Sequence, residues 1–369
     1  MKLLLQRRAR VTGVAGMEGE EQAPTVRLPH LAWRHLVLGV LIVLVVALLA
    51  TTRGPVNIPP ATVAKIVASK LPFVDISPTW PSSWDAIVWD IRLPRVVVAG
   101  LVGAALAIAG GTFQGLFRNP LADPYLIGVA SGAGLAATIV IVSPIPLSMY
   151  GINVLPPVAF LGALAAVSLA YGLARVGGTV PTTTLILAGV AIAFLASAAT
   201  TFLMLHSSSD VRPVLMWLLG GFSASGWQRV AWLLPYTVPC VAVILIHGRV
   251  LNVLQLDEEQ AQQLGINVER TKIILIVAAS LITAAAVSVS GMIGFVGLIS
   301  PHLVRLLWGA DHRFLLPMSC IAGAILLMVS DLLARTVMSP EEVPVGVITA
   351  FFGAPFFLYL LRQKKGMVF

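Results

Sequence analysis

The sequence predicts an all-α polytopic membrane protein, an inverted-repeat bundle of about ten transmembrane helices at ~20 apolar residues per crossing. Three observations carry that expectation. Only 11% of the 369 residues are charged, whereas a soluble domain carries about 25% to keep its surface solvated. Apolar residues make up 58% of the chain, and the mean hydropathy is +0.93. The 32 Gly and 24 Pro supply the small and helix-interrupting residues common in such bundles. A water-soluble enzyme is excluded. The formal net charge of +8 reads as basic loops on the cytoplasmic side; nucleic acid as a partner would need a soluble basic face. Cys240 and Cys320 both lie in apolar runs and point to neither a disulfide framework nor a thiolate metal site.

Residues 1–35 form a polar tail with Arg7, Arg8, Arg10, Arg27 and Arg34 and an acidic patch at Glu18, Glu20 and Glu21. The charged stretch is too long for a cleavable signal peptide, so it reads as a cytoplasmic tail before a permanent first span over 36–52. Residues 53–90 are a polar connection rich in Pro, Ser and Trp. Nine further apolar segments follow, over 93–116, 125–142, 154–174, 184–205, 229–247, 272–292, 293–308, 314–334 and 344–361. Residues 36–363 are thereby one transmembrane domain, and 364–369 a short cytoplasmic end. The Gly-rich stretch 214–227 is too short to cross. It reads as a re-entrant or interfacial helix, tolerated at depth where protein covers it.

Placing both termini in the cytoplasm assigns 16 Lys and Arg to the inner side and 8 to the outer, the direction of the positive-inside rule. Without the tail the bias is ten against eight. A faint internal echo accompanies this topology. Gly110 and Gly291 are each followed ten residues later by a proline, Pro120 and Pro301, on segments that run in opposite directions, as in inverted-repeat transporters.

The chain has no Gly-x4-Gly-Lys-Ser/Thr phosphate loop and no Gly-Lys pair, hence no recognisable means of hydrolysing ATP. His302 and His312 stand without a His-Glu-x-x-His pattern, and no Ser-His-Asp set can be assembled. These read as structural histidines, and no metal-ligand set is expected. Asp331 is the clear carboxylate inside a span, a group that is costly unless paired and a functional candidate. Arg335 lies one helical turn on. The pair reads either as self-neutralised near the outer surface or as Asp331 holding Arg335 in place for an external partner. An ion-coupled secondary transporter would want several such carboxylates, and a membrane enzyme would need a nucleophile or metal set.

Residues 251–270, between the sixth and seventh spans, have their own pattern. Asp257 can cap a helix with Gln260 at its third position, and Gly265 can end it. Asp257, Glu258 and Glu259 suit the positive end of the helix dipole. The expected two-turn helix, with Ala261 and Leu264 on one side, is too short to be stable alone. Lipid-binding helices favour basic and aromatic residues, so this acidic one points to a protein partner on the cytoplasmic face.

The segments Ile91-Arg-Leu-Pro-Arg95, Arg118-Asn-Pro-Leu-Ala-Asp-Pro124, Gly294-Phe-Val-Gly-Leu298 with Pro301-His302, Asp311-His-Arg313, and Pro344-Val-Gly346 with Gly353-Ala-Pro-Phe-Phe357 resemble those of the FecCD family over about residues 36–363. These are permease subunits of type II ABC importers for iron-siderophores, haem and cobalamin. The resemblance implies a permease of ten spans in a prokaryotic plasma membrane, paired as a homodimer or pseudo-dimer. It further implies two cytoplasmic ATPase subunits holding ATP and Mg, and an extracytoplasmic binding protein delivering the ligand. No cofactor is implied in this chain, and a ferric siderophore is the expected cargo, with cobalamin or haem as alternatives. By the same resemblance, Arg92, Arg95 and Arg335 match outer arginines that meet carboxylates on the binding protein. Leu256, Asp257, Glu258, Ala261, Leu264 and Gly265 match the coupling segment that docks in the ATPase; the family's Leu-Gly-Glu reads Leu256-Asp257-Glu258 here. Asn119 and Leu121, with Thr182 and Thr183, match positions that narrow the cytoplasmic end of the pathway.

Overall fold

The computed structural model describes residues 32–364 apart from Pro55, Phe73, Ile145, Tyr150, Gly151, Gly178, Ser208, Ser209, Ala224, Ser225 and Asp257. The tail before residue 32, the residues after 364 and the expected cap Asp257 therefore lie outside the described residues.

In chain order the helices are α1 (Ala32–Thr52), α2 (Pro60–Ser69) and α3 (Ser82–Ala86). A wide-turn stretch, Ile87–Arg92, joins α3 to α4 (Leu93–Leu116) without a break. A 3₁₀ turn over Pro124–Ile127 precedes α5 (Val129–Val142), followed by α6 (Leu155–Ala174), α7 (Thr182–His206), α8 (Arg212–Leu219) and α9 (Trp227–Ile246). The chain then forms α10 (Gly248–Val253), α11 (Glu258–Gln263), α12 (Val268–Ser290), α13 (Val296–Trp308), α14 (His312–Thr336) and α15 (Val345–Lys364). A two-residue antiparallel ladder, Ser148–Met149 with Ile152–Asn153, lies between α5 and α6.

Ten apolar helices answer to the ten predicted segments. Seven are long and apolar enough to cross a membrane among the described residues, while α5 and α13 are shorter, at 14 and 13 residues. Two departures from the hydropathy reading share one cause. The segments expected over 125–142 and 293–308 turn helical only at Val129 and Val296, because the residue before each adopts positive φ, Gly128 at 87° and Phe295 at 70°. Irregular apolar backbone precedes both half-length helices, and hydropathy does not distinguish it from helix. The polar 53–90 connection also holds more structure than its composition indicated. Pro60 starts α2 at the helical position where a missing N–H costs nothing, and Val63 and Ile66 pack with Ile58 and Val88 in a small satellite core.

The order long, short, long, long occurs twice, as 24, 14, 20 and 25 residues in α4–α7 and 23, 13, 25 and 20 in α12–α15. The two runs are inverted. The start of α9 sits beside the lead-in to α4, through Trp227 Nε1 to the Trp89 carbonyl at 2.9 Å, and also beside the end of α12, through Arg229 Nη1 to the Val289 carbonyl. Thus α4 begins where α12 finishes. The predicted non-crossing helix is α8, whose following turn bonds the end of α12 and the start of α15 through Gly221 N to Ser290 O and Val345 N to Gly220 O.

The core sits around α4 and α12, the most buried of the long helices. In lipid there is little hydrophobic drive between helices, so close backbone approach does the packing. A Cβ on Gly103 would strike the Gly323 carbonyl, and one on Gly323 the Gly103 carbonyl. Those two glycines let α4 and α14 touch backbone to backbone. The outer faces of α7 and α15 remain apolar and exposed, with Leu187, Phe194, Leu205 and Phe351 all at least 70% accessible.

Candidate functional site

Antiparallel α4 and α14 carry a polar constellation at each end. At one, the arginine end, the wide-turn stretch delivers Arg92 and the first turn of α4 delivers Arg95, while Asp331 and Arg335 stand on the last turns of α14. Arg95 donates to Asp331 at 2.9 and 3.0 Å and to Glu342 at 2.9 and 3.0 Å. Arg335 pairs with Asp331 at 3.1 Å and donates to the Ala50 carbonyl at 3.0 Å. Arg92 donates to the carbonyls of Thr51, Thr52 and Val56, fastening the end of α1.

The predicted outer arginines are thus together, but not as open surface. Arg92, Arg95 and Arg335 are 5%, 8% and 7% accessible, and Asp331 1%. Asp331 pairs with Arg335 across one turn, as expected, and it also takes Arg95 from 236 residues away. A lone buried carboxylate would cost several kcal/mol, and two guanidinium groups fill its lone-pair sites. Glu342 is the member that sequence reasoning missed; it lies in the connection between α14 and α15, and its side chain is 42% accessible. Three guanidinium groups against two carboxylates leave this end net positive.

The opposite end holds the 251–270 segment, as two short helices rather than one. Glu258 opens α11, and Gly265 follows it at φ 82°, the left-handed conformation expected of a terminator. The expectation of Ala261 and Leu264 on one face fails: Ala261 is fully buried against the chain, while Leu264 is 64% and Leu256 45% accessible. The segment spends Ala261 on its own anchorage and leaves the two leucines outward.

Here α10 and the residues just after it are bonded to the ends of α14 and α4. Asn252 donates to Asp311 Oδ1 at 2.7 Å, and its oxygen accepts from the His312 backbone N at 2.8 Å and lies 2.8 Å from His312 Nδ1. Gln255 donates to the Gly115 carbonyl on the last turn of α4 at 2.9 Å. Asp311 caps α14 and binds the Arg313 guanidinium, which, with the Asn252 amide, pulls its carboxyl from 3.8 down to about 2. Asn119 and Leu121 lie at this same end, where neighbouring Arg118 reaches the Leu256 carbonyl; Asn119 Oδ1 accepts from Leu121 N at 2.9 Å. Thr182 and Thr183 open α7 there, just after Val180 N, which donates to Glu269 at the start of α12.

Between the two ends, the irregular stretches before α5 and α13 are clasped by Tyr125, whose hydroxyl donates to the Ile293 carbonyl at 3.0 Å and accepts from Ile293 N at 3.2 Å. Beside them lies an apolar cavity of about 420 Å³ against α7, lined among others by Asp123, Tyr125, Phe194, Phe295 and Leu298. Among the described residues, no group of three or more His, Cys, Asp or Glu is placed to hold a metal ion. The arrangement carries no reactive constellation. It is a membrane bundle with a positive, ion-paired end, a short outward helix at the other, and irregular backbone between.

The model of the FecCD transport family matches residues 40–363. The chain belongs to the FecCD transport family. The cobalamin import system permease protein BtuC of Halobacterium salinarum is 49% identical over 285 residues, 77% of this chain and 76% of that one. The hemin transport system permease protein HmuU of Yersinia pestis is 41% identical over 302 residues, 78% of this chain and 87% of its own length. A solved structure assigned to a metal-chelate type ABC transporter, in an inward-facing conformation, superposes with a TM-score of 0.77 at 30% identity, covering 89% of this chain and 99% of that one. The chain is therefore a multi-pass membrane permease subunit of an ABC transporter of the metal-chelate, cobalamin and haem type, and not an enzyme. Membership of that family implies ATPase and binding-protein partners for the permease.

Proposed function

We propose that this permease is the membrane subunit of an ATP-driven importer, with both termini in the cytoplasm of a prokaryotic cell and a second, identical permease beside it. The observation that carries the reading is the polarity of the α4–α14 pair: a net-positive cluster at one end and, at the other, the short acidic α11 flanked by the outward Leu256 and Leu264. The excess of Lys and Arg on the other side supports an arginine end that lies outside, facing the binding protein. Leu256, Glu258 and Leu264, with Asp257 between them, present the cytoplasmic segment to the ATPase, while Ala261 and Gly265 hold its shape. ATP and Mg belong to that partner. Asn119, Leu121, Thr182 and Thr183 narrow the cytoplasmic end of the path between the two subunits, and the apolar faces of α7 and α15 serve the subunit interface and the path itself. ATP-driven motion of the coupling segments rocks the helices about the pathway, so no residue chemistry is required, and a wide, weakly binding conduit suits a large chelate.

The cargo is a metal chelate. The relative at 49% identity is named for cobalamin, which supports cobalamin; the family's ferric siderophores and the haem of the 41% relative are the other arms of the test. The test is uptake into proteoliposomes that hold the permease with its cognate ATPase and binding protein, comparing cobalamin, ferric siderophore and haem. Uptake of one of them that stops without ATP supports the reading. Transport by the isolated permease down an ion gradient would overturn it.

A further inference from the structure

On one side α11 touches α12, and on the other the chain joins it to α10, where two polar side chains, Asn252 on α10 and Gln255 just after it, bond the ends of α14 and α4. We propose that Asn252 is the positioning residue that delivers movement of the coupling segment to α14, a role that rests on the reading of 251–270 as the ATPase-facing segment. Both polar atoms of its carboxamide are engaged. The Nδ2 donates to Asp311 Oδ1 at 2.7 Å, and the Oδ1 accepts from the His312 backbone N at 2.8 Å while facing His312 Nδ1 at 2.8 Å. Asp311 is the cap of α14 and His312 its first residue, so Asn252 holds the helix by its end. One turn on, Gln255 holds the last turn of α4 through the Gly115 carbonyl. The two helix ends gripped in this way are in contact, since a Cβ on Gly115 would come within 2.8 Å of His312 Nε2.

Beyond the grip, α4 and α14 are fixed to each other along their length. Gly103 and Gly323 touch midway, and the Arg95–Asp331 pair locks the far end. Displacing α10 without α14 would break a hydrogen bond to the charged Asp311 and unseat a helix cap, both more costly than an ordinary surface contact. Moving α10 with α14 carries the whole pair, and with it the arginine cluster. The coupling segment and the arginine cluster thus sit at the two ends of one rigid element, and Asn252 is its handle.

The test uses the assembled transporter in proteoliposomes and reads transport per ATP hydrolysed, together with stimulation of hydrolysis by the binding protein. Asn252→Ala is expected to retain the ATPase on co-purification while transport per ATP falls about five- to tenfold, the scale for a residue on a coupling route. Asn252→Asp, which sets a carboxylate against Asp311, is expected to fall further. The double exchange Asn252→Asp with Asp311→Asn restores a donor facing an acceptor at unchanged charge and is expected to recover most of the ratio. An unchanged ratio in Asn252→Ala overturns the proposal. So does a double exchange that recovers thermal stability but not the ratio, since that outcome makes Asn252 a cap and nothing more. If the unmodified chain fails to retain the ATPase, the reading of 251–270 fails instead, and the two failures are told apart.

Discussion

Arg95 binds two carboxylates of its own chain, Asp331 at 2.9 Å and Glu342 at 2.9 Å, and the first is 1% accessible where the second is 42%. That inequality decides what the cluster can do. Asp331 is a permanent partner, because its removal would strand buried guanidinium groups. Glu342 lies in a short connection open to water, where an ion pair is worth little, and it can be exchanged for a carboxylate from outside. A buried arginine cluster is thereby compatible with docking of a binding protein.

The first prediction concerns Asp331. Asp331→Ala removes the shared acceptor of Arg95 and Arg335 and is expected to destabilise the permease by about 3–5 kcal/mol, the range for breaking a buried pair from one side. Thermal unfolding of the solubilised chain measures it. Charge reversal at Arg95 is expected to act in the same way, so weaker docking in such a variant carries meaning only alongside a stability measurement. A stable Asp331→Ala chain would show that the cluster is hydrated rather than sealed.

The exchange of Glu342 gives a cleaner variant. Glu342→Gln leaves Asp331 in place and removes one competitor for Arg95, so the binding protein is expected to dock several-fold more tightly, with the gain greatest at low salt. Surface plasmon resonance on the nanodisc-embedded permease across ionic strengths reads it directly. Docking unchanged or weakened at low salt would mean that Glu342 takes part in the docking surface rather than competing with it.

Much of this fold is legible without coordinates, because crossing a bilayer imposes a length and a polarity that hydropathy sees. The ten segments, a non-crossing helix within the expected 214–227, found at Arg212–Leu219, and the glycine that ends α11 all follow from local composition. The irregular stretches before α5 and α13 do not, since Leu126, Ile293 and Phe295 are as apolar as any helix; their breaks are set by backbone conformation at Gly128 and Phe295. Nor does Arg95–Asp331, a pair 236 residues apart. The available signal was that each is a lone charge at the same depth of an apolar segment, and lone charges in a membrane have to find one another. Ala261 was misplaced because a six-residue helix has too little periodicity to show which side faces the chain.

The close approach of α4 and α14 predicts a steep size dependence at one point. Gly323→Ala already forces its Cβ onto the Gly103 carbonyl, and Gly323→Leu wedges the helices apart. Each step is expected to cost more than the ~1–3 kcal/mol of ordinary overpacking, because the obstacle is backbone. Gly172, with open space around its missing Cβ, is the control and is expected to accept alanine without loss. Equal stability of the Gly323 and Gly172 alanine variants would show that the two spans can part freely.

The coupling segment predicts opposite phenotypes for residues three positions apart. Leu264 is 64% accessible, so Leu264→Glu is expected to leave folding intact and to abolish retention of the ATPase. Ala261 is fully buried, so Ala261→Leu is expected to lower thermal stability and to disturb α11 itself. Co-purification and thermal unfolding on both variants separate the two effects, and a Leu264→Glu chain that keeps its ATPase would remove the leucine from the docking face.

The pH dependence of the inner grip follows from Asp311. Its carboxyl titrates at about 2 rather than 3.8, held down first by the Arg313 guanidinium and then by the Asn252 amide. A carboxyl depressed by folding contributes stability that is fully present above its ordinary value and is lost as pH falls through the folded one. The grip is therefore expected to be intact at every pH above about 4 and to weaken between 4 and 2. The side chain is 39% accessible, so solvent screening keeps the effect modest. Asp311→Asn is expected to flatten that portion of the thermal stability profile while leaving the profile above pH 5 parallel to that of the unmodified chain. An unaltered slope between pH 4 and 2 in the variant would assign the acid sensitivity to other carboxylates and leave the Asn252–Asp311 bond without a charged partner's strength.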